Sequence, residues 1–263
     1  MELAGRLGIF SWFGFVMPLQ ERLRLIKNVG FDATTVWWED EEGPVIIKKH
    51  EIPQMVRDEG LILENIHVPF NNSDDMWSDS KTSRDAFVAR HLEWMEDCAK
   101  FDIPLMVMHV TDGDRPPAPN KYGVECMMRL VKEAEELKVK IAVENTIRGD
   151  SVEFLLSEIE SPYLGLCYDS SHSGLKNQNY LLEAFKERLF ATHISDNDGL
   201  YDRHWLPGNG IIDWNKIGEF FPKNYRGYLT LETRPTDGEA KQGPESFLEK
   251  AYEKIIYVRK LFL

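Results

Sequence analysis

Several features that mark other protein classes are missing from this sequence of 263 residues. It has only three cysteines, which are widely spaced in apolar surroundings and form no C-x-x-C pair. Neither a disulfide framework nor a cysteine zinc site is therefore indicated, and we interpret Cys98, Cys126 and Cys167 as reduced core residues. The apolar stretch from Gly8 to Leu19 is about 12 residues long, short of the ~18 that a membrane span needs, and no small-residue cleavage site follows it. These absences predict a cytoplasmic protein.

Basic residues are in the minority, with 31 Lys and Arg against 44 Asp and Glu and a net charge of −13. This balance repels phosphate backbones and anionic lipids at long range, which disfavours nucleic acid or a membrane as the main partner. Linkers rich in Gly, Ser or Pro and low-complexity tracts are absent as well. A content of 43% hydrophobic and 29% charged residues is typical of a globular chain. We expect one domain over residues 1–263.

Eight short apolar runs, rich in β-branched and aromatic residues, alternate with amphipathic stretches along the chain. The runs are Leu3 to Ser11, Asp32 to Trp38, Leu61 to Val68, Pro104 to Val110, Lys140 to Asn145, Leu164 to Asp169, Phe190 to Asp196 and Gly227 to Thr233. Helical patterns cover Leu19 to Asn28, Arg84 to Phe101, Gly123 to Leu137, Tyr180 to Glu187 and Pro244 to Leu261. The runs start about 32 residues apart on average, the length of one βαβ unit. No G-x-G-x-x-G follows the first run, so an α/β fold with a single (β/α)₈ TIM barrel is favoured over an open doubly wound sheet.

The last four runs each end in a side chain that can bind a metal ion. These side chains are Glu144, Asp169, His193 and Glu232. Because parallel strands of a barrel direct their C-terminal ends at one mouth, we expect the four groups to converge there. Carboxylates with an imidazole suit a divalent cation of the Mn²⁺, Mg²⁺, Co²⁺ or Zn²⁺ group.

Five of the seven histidines also fall at strand ends or in the loops that follow them. They are His67, His109, His172, His193 and His204. Any one of them alone is more simply a satisfied core or surface histidine, but five together favour a site at the mouth. The D-x-x-H pair of Asp169 and the D-x-H pair of Asp202 have spacings that let both members face one cavity. Each pair could bind a metal directly, or each carboxylate could orient a liganding histidine.

The segments ENIHVPF, VMHVTDG, AVENT, LCYDSSHSG, THISDNDG, DRHWLPGNGIIDW and LTLETRP, in this order, resemble the xylose isomerase-like barrel superfamily. The resemblance runs from about the third strand to the eighth and is greatest to sugar phosphate isomerases and epimerases. It implies a metal ion on Glu144, Asp169, His193 and Glu232, with His172 touching substrate. It also implies that Glu144 and Glu232 transfer protons on opposite faces of the substrate. The implied enzyme isomerises or epimerises a keto-sugar, a sugar phosphate or a related polyol through a metal-stabilised enediolate.

A second branch of the superfamily, the zinc-dependent apurinic-site endonucleases, offers an alternative. Its three-metal set of nine residues matches in type at His67, His109, Glu144, Asp169, His172, His193, Asp202, His204 and Glu232. The resemblance therefore allows one metal ion, Mn²⁺ or Zn²⁺ above the others, or two or three. Against phosphodiester hydrolysis, the loops 39–47 and 69–80 contain seven carboxylates and no Lys or Arg, which should oppose a polyanion. A polyol-ketone dehydratase and a barrel that binds without catalysis also stay open at this point.

Aromatic and basic side chains near the predicted mouth suggest how a small sugar or sugar phosphate is bound. Trp12, Trp205, Trp77 and either Trp37 or Trp38 could stack on a sugar, or they could cap the barrel core. Four arginines could hold a single phosphate group; they are Arg115, Arg148, Arg203 and Arg234. We expect substrate contacts from Trp12, Arg203, Trp205 and Arg234. The sequence leaves the oligomeric state open, a homo-oligomer included.

Overall fold

Eight parallel strands form one sheet that closes into a barrel, as the computed structural model shows for residues 6–43 and 45–263. The strands are β1 (Arg6–Phe10), β2 (Ala33–Trp37), β3 (Ile62–His67), β4 (Leu105–His109), β5 (Lys140–Glu144), β6 (Leu164–Asp169), β7 (Leu189–His193) and β8 (Tyr228–Leu231). Strands β1 to β7 pair in the order of the sequence, and β8 pairs with β1. A bridge between Ile194 and Leu231 joins the last two strands. The predicted (β/α)₈ TIM barrel is confirmed; the predicted start of the first strand at residues 3–5 lies outside the described residues.

Ten α-helices of the described chain surround the strands. They are α1 (Leu19–Val29), α2 (Ile52–Asp58), α3 (Lys81–Lys100), α4 (Lys121–Leu137), α5 (Gly149–Glu158), α6 (Ser170–Lys176), α7 (Asn179–Phe185), α8 (Trp214–Phe220), α9 (Asp237–Ala240) and α10 (Pro244–Phe262). Helix α4 begins earlier than the apolar pattern predicts because the Asn120 side chain caps it, accepting from the Tyr122 N–H at 2.9 Å. Helix α3 likewise begins after Ser80, whose hydroxyl accepts from the Ser83 N–H.

Most of the buried apolar side chains pack between the strands and the helices, while a small cluster fills the inside of the barrel. The inner cluster consists of Leu105, Val107, Ala142, Cys167 and Ala191. All three cysteines are buried and unpaired, as predicted. In the described part of the chain, no helix has the length and apolarity that crossing a membrane requires.

The loop after β2 contains a feature that the sequence did not predict. Two-residue strands, Glu41–Glu42 and Ile46–Ile47, pair antiparallel beside the barrel mouth. Arg22 of α1 is fully buried and forms an ion pair with Glu41, and it also donates to the Ser11 carbonyl at 2.9 Å. The acidic loop is thereby fixed to the first helix.

Candidate metal centre at the barrel mouth

Glu144, Asp169 and His193 are the last residues of β5, β6 and β7, and Glu232 directly follows β8. Because these parallel strands are neighbours, their ends meet at one point of the mouth. One ligand atom from each of the four side chains lies within 4.8 Å of the others. The structure thus brings together the four residues that the sequence singles out.

His193 lies at the centre of this group. Its Nδ1 is 3.1 Å from Glu144 Oε2 and 3.1 Å from Glu232 Oε2. The side chains of Glu144 and His193 are essentially buried, whereas 16% of the Glu232 side chain is exposed. Of the two glutamates, Glu232 is therefore the one that faces the open mouth.

Several buried polar atoms of this cluster form no hydrogen bond of normal geometry. They are Asp169 Oδ2, His193 Nε2, and Nδ1 of His172 and of His193, the last two facing carboxylate oxygens at 3.3 and 3.1 Å. Asp169 uses only its other oxygen, Oδ1, which accepts from the His172 N–H at 2.7 Å. Buried polar atoms without a partner are rare in folded proteins, and a bound ion is one of the usual reasons. Three carboxylates with an imidazole nitrogen form a donor set that fits Mn²⁺ or Zn²⁺, so these residues fit a divalent cation.

A second group shares Glu144. His67 Nε2 lies 3.0 Å and His109 Nε2 3.5 Å from Glu144 Oε2, and the three residues form another set with metal-binding geometry. His67 Nδ1 is 2.9 Å from the Val68 carbonyl oxygen. A carbonyl only accepts, so Nδ1 of His67 carries a proton and Nε2 is directed at Glu144.

A third group surrounds Asp202 in the loop after β7. Asp202 Oδ2 is 3.2 Å from His172 Nε2 and 2.9 Å from His204 Nε2, while Oδ1 accepts from the Ser171 hydroxyl. His204 Nδ1 donates to the Glu232 carbonyl oxygen at 3.1 Å, which ties this group to the first. All nine residues of the sequence prediction thus lie at one mouth. In the described residues, however, the Asp202 group is not one of the sets whose ligand atoms are close enough for a shared ion.

Burial and the charges of neighbouring groups shift the pKa values of the carboxylates and histidines at the mouth. Burial alone would raise the pKa of Glu232, but the interactions with His193 and His204 together outweigh burial and lower that pKa to about 2. Burial also acts on Glu144, and there His193 and His109 hold the pKa well below its usual range. At Asp169 burial dominates, and with the charge of Glu144 nearby it raises the pKa to about 7. At His204 burial lowers the pKa, but the hydrogen bond to Asp202 and the charges of Glu232, Asp202 and Asp169 together outweigh it and raise that pKa to about 9.

The aromatic residues divide into two groups. Trp12 is 42% exposed at the mouth and, together with Trp37, lines a cavity of about 790 Å³ whose other residues include Glu39–Glu42. The Trp37 ring lies 4.4 Å from the His67 ring, centroid to centroid. Trp38 and Trp77 are buried and donate to Asp97 and to the Val110 carbonyl, so those two belong to the core.

The predicted substrate arginines have partners within the protein. Arg203 Nε donates to Asp198 at 2.7 Å and its guanidinium lies over the Trp205 ring. Arg234 Nε donates to the Arg203 carbonyl at 3.1 Å. Trp205 pairs with Asp196 through two backbone hydrogen bonds. Through these contacts Arg203, Trp205 and Arg234 stabilise the loop that contains Asp202 and His204. Contact of the three residues with substrate stays a prediction.

Two residues near the site were missed by the sequence reasoning. Asp196 is fully buried and accepts from the N–H groups of Gly208 and Ile212 and from Trp214 Nε1, which fixes the loop from 206 to 212. The sequence signal for this role was that Asp196 follows Ser195 in the segment THISDN, close to His193 at the predicted strand end. Phe70 stacks on His109, with 4.8 Å between ring centroids, and lines a cavity of about 390 Å³ that reaches His172 and Asp202. Nothing in its own segment indicated that contact.

Comparison with known proteins agrees with the barrel. A profile of the xylose isomerase-like TIM barrel family matches residues 23–251. An uncharacterized protein of Sinorhizobium fredii, y4fM, is 28% identical, with 82% of this chain and 81% of the relative covered.

Two solved sugar epimerases have similar folds. D-psicose 3-epimerase from Clostridium cellulolyticum H10, solved with D-tagatose, superposes with a TM-score of 0.76 at 15% identity, over 98% of this chain and 99% of that one. The 3-keto-D-glucoside 4-epimerase YcjR from E. coli gives a TM-score of 0.71 at 16% identity, over 98% and 100%. At these identities the similarity shows the fold.

Proposed function

The chain belongs to the xylose isomerase-like TIM barrel family, and from that premise we propose that it is a divalent-metal-dependent isomerase or epimerase of a keto-sugar or related polyol. The observation that carries the proposal is the convergence of Glu144, Asp169, His193 and Glu232, in which the buried Asp169 Oδ2 and His193 Nε2 have no hydrogen-bond partner. The two solved structures described above are sugar epimerases, which supports the same class of reaction.

The four residues Glu144, Asp169, His193 and Glu232 would hold the ion. A divalent cation bound there supplies a Lewis acid that polarises the carbonyl and an adjacent hydroxyl of the substrate. The mixed oxygen and nitrogen donors of this set suit both Mn²⁺ and Zn²⁺.

Glu232 is the better placed of the two glutamates to accept the proton next to the substrate carbonyl. Its side chain reaches the open mouth, and its lowered pKa keeps it ionised at neutral pH, as a base must be. Removal of that proton by Glu232 gives an enediolate, and a proton delivered to the other face inverts the carbon. Glu144, enclosed by His67, His109 and His193, is ionised, so it would first take up the delivered proton from His172. The His172 Nδ1 lies 3.3 Å from Glu144 Oε1, and the carboxylates around this imidazole outweigh its burial and raise its pKa. Loss of the Glu232 proton to water and reprotonation of His172 complete the cycle.

The remaining residues of the mouth suit a small neutral polyol. The cavity next to His172 and Asp202, of about 390 Å³, has the size of a small-molecule site. The exposed ring of Trp12 offers a stacking face, and the acidic loop beside it, Glu39–Glu42, favours an uncharged substrate over a polyanion.

Hydrogen exchange on the substrate tests the proposal. The protein, loaded with Mn²⁺, is incubated in D₂O with a panel of ketohexoses and ketopentoses, free and phosphorylated, and the carbon next to the carbonyl is followed by NMR. We expect protein-dependent incorporation of deuterium and formation of an epimer or isomer from at least one member. No incorporation with any member contradicts the proposal. Products lighter by one water would instead identify a dehydratase.

A second function is favoured by one observation. His67 and His109 form a further metal-binding set with Glu144, as in a phosphodiesterase that uses more than one zinc ion. Nicking of a duplex with a single abasic site by the Zn²⁺-loaded protein, without exchange on any keto-sugar, would establish hydrolysis at abasic sites in place of the sugar reaction.

A further inference from the structure

The end of the barrel opposite the mouth contains a cavity of about 810 Å³. Residues that begin four of the strands line it, namely Arg6, Lys140, Leu189 and Tyr228, which places it at the N-terminal face. Such a volume is within the range of small-molecule sites. No residue proposed for the sugar reaction lines it.

Five cationic side chains surround this cavity. They are Arg6, Lys138, Lys140, Lys186 and Arg226. In the described residues none of the five forms a salt bridge, whereas Arg148 and Arg203 at the mouth each pair with an aspartate. Among the residues that the structure describes, only two carboxylates, Glu64 and Glu187, line the same cavity. A chain with a net charge of −13 thus has a concave surface of the opposite sign, which concentrates anions.

The walls of the cavity provide aromatic surface beneath these charges. Lys140 Nζ lies 4.4 Å from the centre of the Phe190 ring, and the Arg6 guanidinium lies 5.5 Å from that of Tyr228. Tyr163 and Tyr225 line the same cavity. Because the rings already restrict the ammonium and guanidinium groups, these side chains lose less conformational entropy when an anion binds.

Glu64 forms the inner end of the cavity. It is buried in β3, and its Oε1 accepts hydrogen bonds from the hydroxyls of Thr230 and Thr35. A Cβ at Gly8 would lie 2.6 Å from Glu64 Oε1, so the glycine leaves the space that this carboxyl occupies. Burial raises the pKa of Glu64 to about 7, so near neutral pH it opposes an anion less than an ordinary carboxylate does.

From these observations we infer that the N-terminal face of the barrel is a binding site for a small phosphate monoester, held by Lys140, Arg226 and the other cations of this cavity. Lysine and arginine bind phosphate by charge-assisted hydrogen bonds, and the aromatic wall contacts the organic part. A small ligand is favoured over nucleic acid because the cations surround a concavity, while the overall charge repels an extended polyanion. This inference does not depend on the proposed sugar reaction.

Titration calorimetry with two pairs of probes tests the site. The phosphorylated probes are AMP and glucose 6-phosphate, and their neutral counterparts are adenosine and glucose. We expect saturable binding of at least one phosphorylated probe and none of its neutral counterpart. The double variant Lys140→Gln/Arg226→Gln should weaken that binding at least about tenfold, since it removes two charge-assisted contacts. The matched control Lys132→Gln/Lys241→Gln removes the same charge from exposed positions that line none of the described cavities, and it should bind like the unmodified chain.

Three results would overturn the inference: no binding of either monoester, equal losses in the two double variants, or binding that neither pair alters, which would place the probe elsewhere. Binding of a DNA duplex through Lys140 and Arg226 without binding of the monoesters would also overturn it.

A second experiment needs no variants: lysines are acetylated and the labelled positions are identified by mass spectrometry. The phosphorylated probe should protect Lys140 and Lys186 but not Lys132, and uniform labelling would count against the site.

Discussion

His67 and Glu144 meet at the barrel mouth, with His67 Nε2 3.0 Å from Glu144 Oε2, although 77 positions separate them in the chain. The contact joins the ends of β3 and β5, which have β4 between them in the sheet. Glu144 is thereby shared between the group around His193 and the group around His67 and His109. If metal ions bind at this mouth, as proposed, the shared carboxylate would serve either a single ion or a pair.

Amide substitution of the two glutamates should stop turnover. We expect Glu232→Gln to lower kcat by about 10²- to 10⁴-fold, the usual contribution of a positioned acid or base, and Glu144→Gln to lower it similarly. The fold should persist, because each substitution keeps the shape of the side chain. The measurement is kcat on the best keto-sugar of the panel, with thermal unfolding alongside. Glu136→Gln, at an exposed position of α4 away from the mouth, serves as control and should keep full activity. Full activity in both Glu144→Gln and Glu232→Gln would refute their catalytic roles.

The tryptophans at the mouth and in the core should respond differently to truncation. Trp38 is 1% exposed and donates to Asp97 at 2.9 Å, so Trp38→Ala should lower the free energy of unfolding by about 3–5 kcal/mol. Trp12→Ala, at the exposed ring, should leave stability within about 1 kcal/mol and raise KM for the sugar. Urea unfolding and steady-state kinetics separate the two effects. An unchanged KM in Trp12→Ala would remove Trp12 from the substrate contacts.

The ion pair between Arg22 and Glu41 should stabilise the loop after β2. Arg22 is completely buried, and burial lowers its pKa while Glu41 opposes that change. Glu41→Gln leaves the buried guanidinium without its counter-charge, and we expect a loss of about 2–3 kcal/mol in unfolding free energy. The neighbouring Glu42→Gln is the matched control and should cost less than about 0.5 kcal/mol. Equal stability of the two variants, measured by urea unfolding, would mean that the ion pair contributes nothing.

His91 should make the protein sensitive to mild acid. Its Nδ1 donates to the Phe87 carbonyl at 2.8 Å, its Nε2 is buried without a partner, and burial lowers its pKa from 6.5 to about 4. Between pH 6.5 and 4, His91 is therefore protonated in the unfolded chain but stays neutral in the folded chain. Stability falls across that window as the pH falls, by about 2–3 kcal/mol in total.

The variant His91→Leu removes the titrating group and keeps an apolar side chain of similar size. We expect its unfolding free energy to decline less between pH 6.5 and 4 than that of the unmodified chain, by the amount that His91 contributes. Urea unfolding at several pH values gives the comparison. Parallel pH profiles for the two proteins would show that His91 is not the group responsible.

Much of the fold and of the candidate metal centre could be predicted because both follow from local patterns. Apolar runs repeat at the length of a βαβ unit, and parallel strands bring their ends together, so the amino-acid order alone was enough to place Glu144, Asp169, His193 and Glu232. The pattern could not separate Trp37 from Trp38, since adjacent strand residues point to opposite faces and the run is apolar on both.

Features made by distant residues could not be predicted. The pairing of Arg22 with Glu41 depends on how the loop after β2 folds back over α1. The cationic cavity at the N-terminal face gathers residues as far apart as Arg6 and Arg226, none of which lies in a motif. The arginines at the mouth have carboxylate and carbonyl partners that only the three-dimensional structure reveals.

Metal content per chain tests the central claim most directly. The protein is loaded with Mn²⁺ or Zn²⁺, freed of excess ion by gel filtration and analysed by inductively coupled plasma mass spectrometry, beside Asp169→Asn and His193→Ala. We predict at least one tightly bound ion per chain in the unmodified protein and loss of that ion in both variants, with a folded barrel by circular dichroism. An unmodified protein that retains no divalent ion, or variants that retain it in full, would contradict the account.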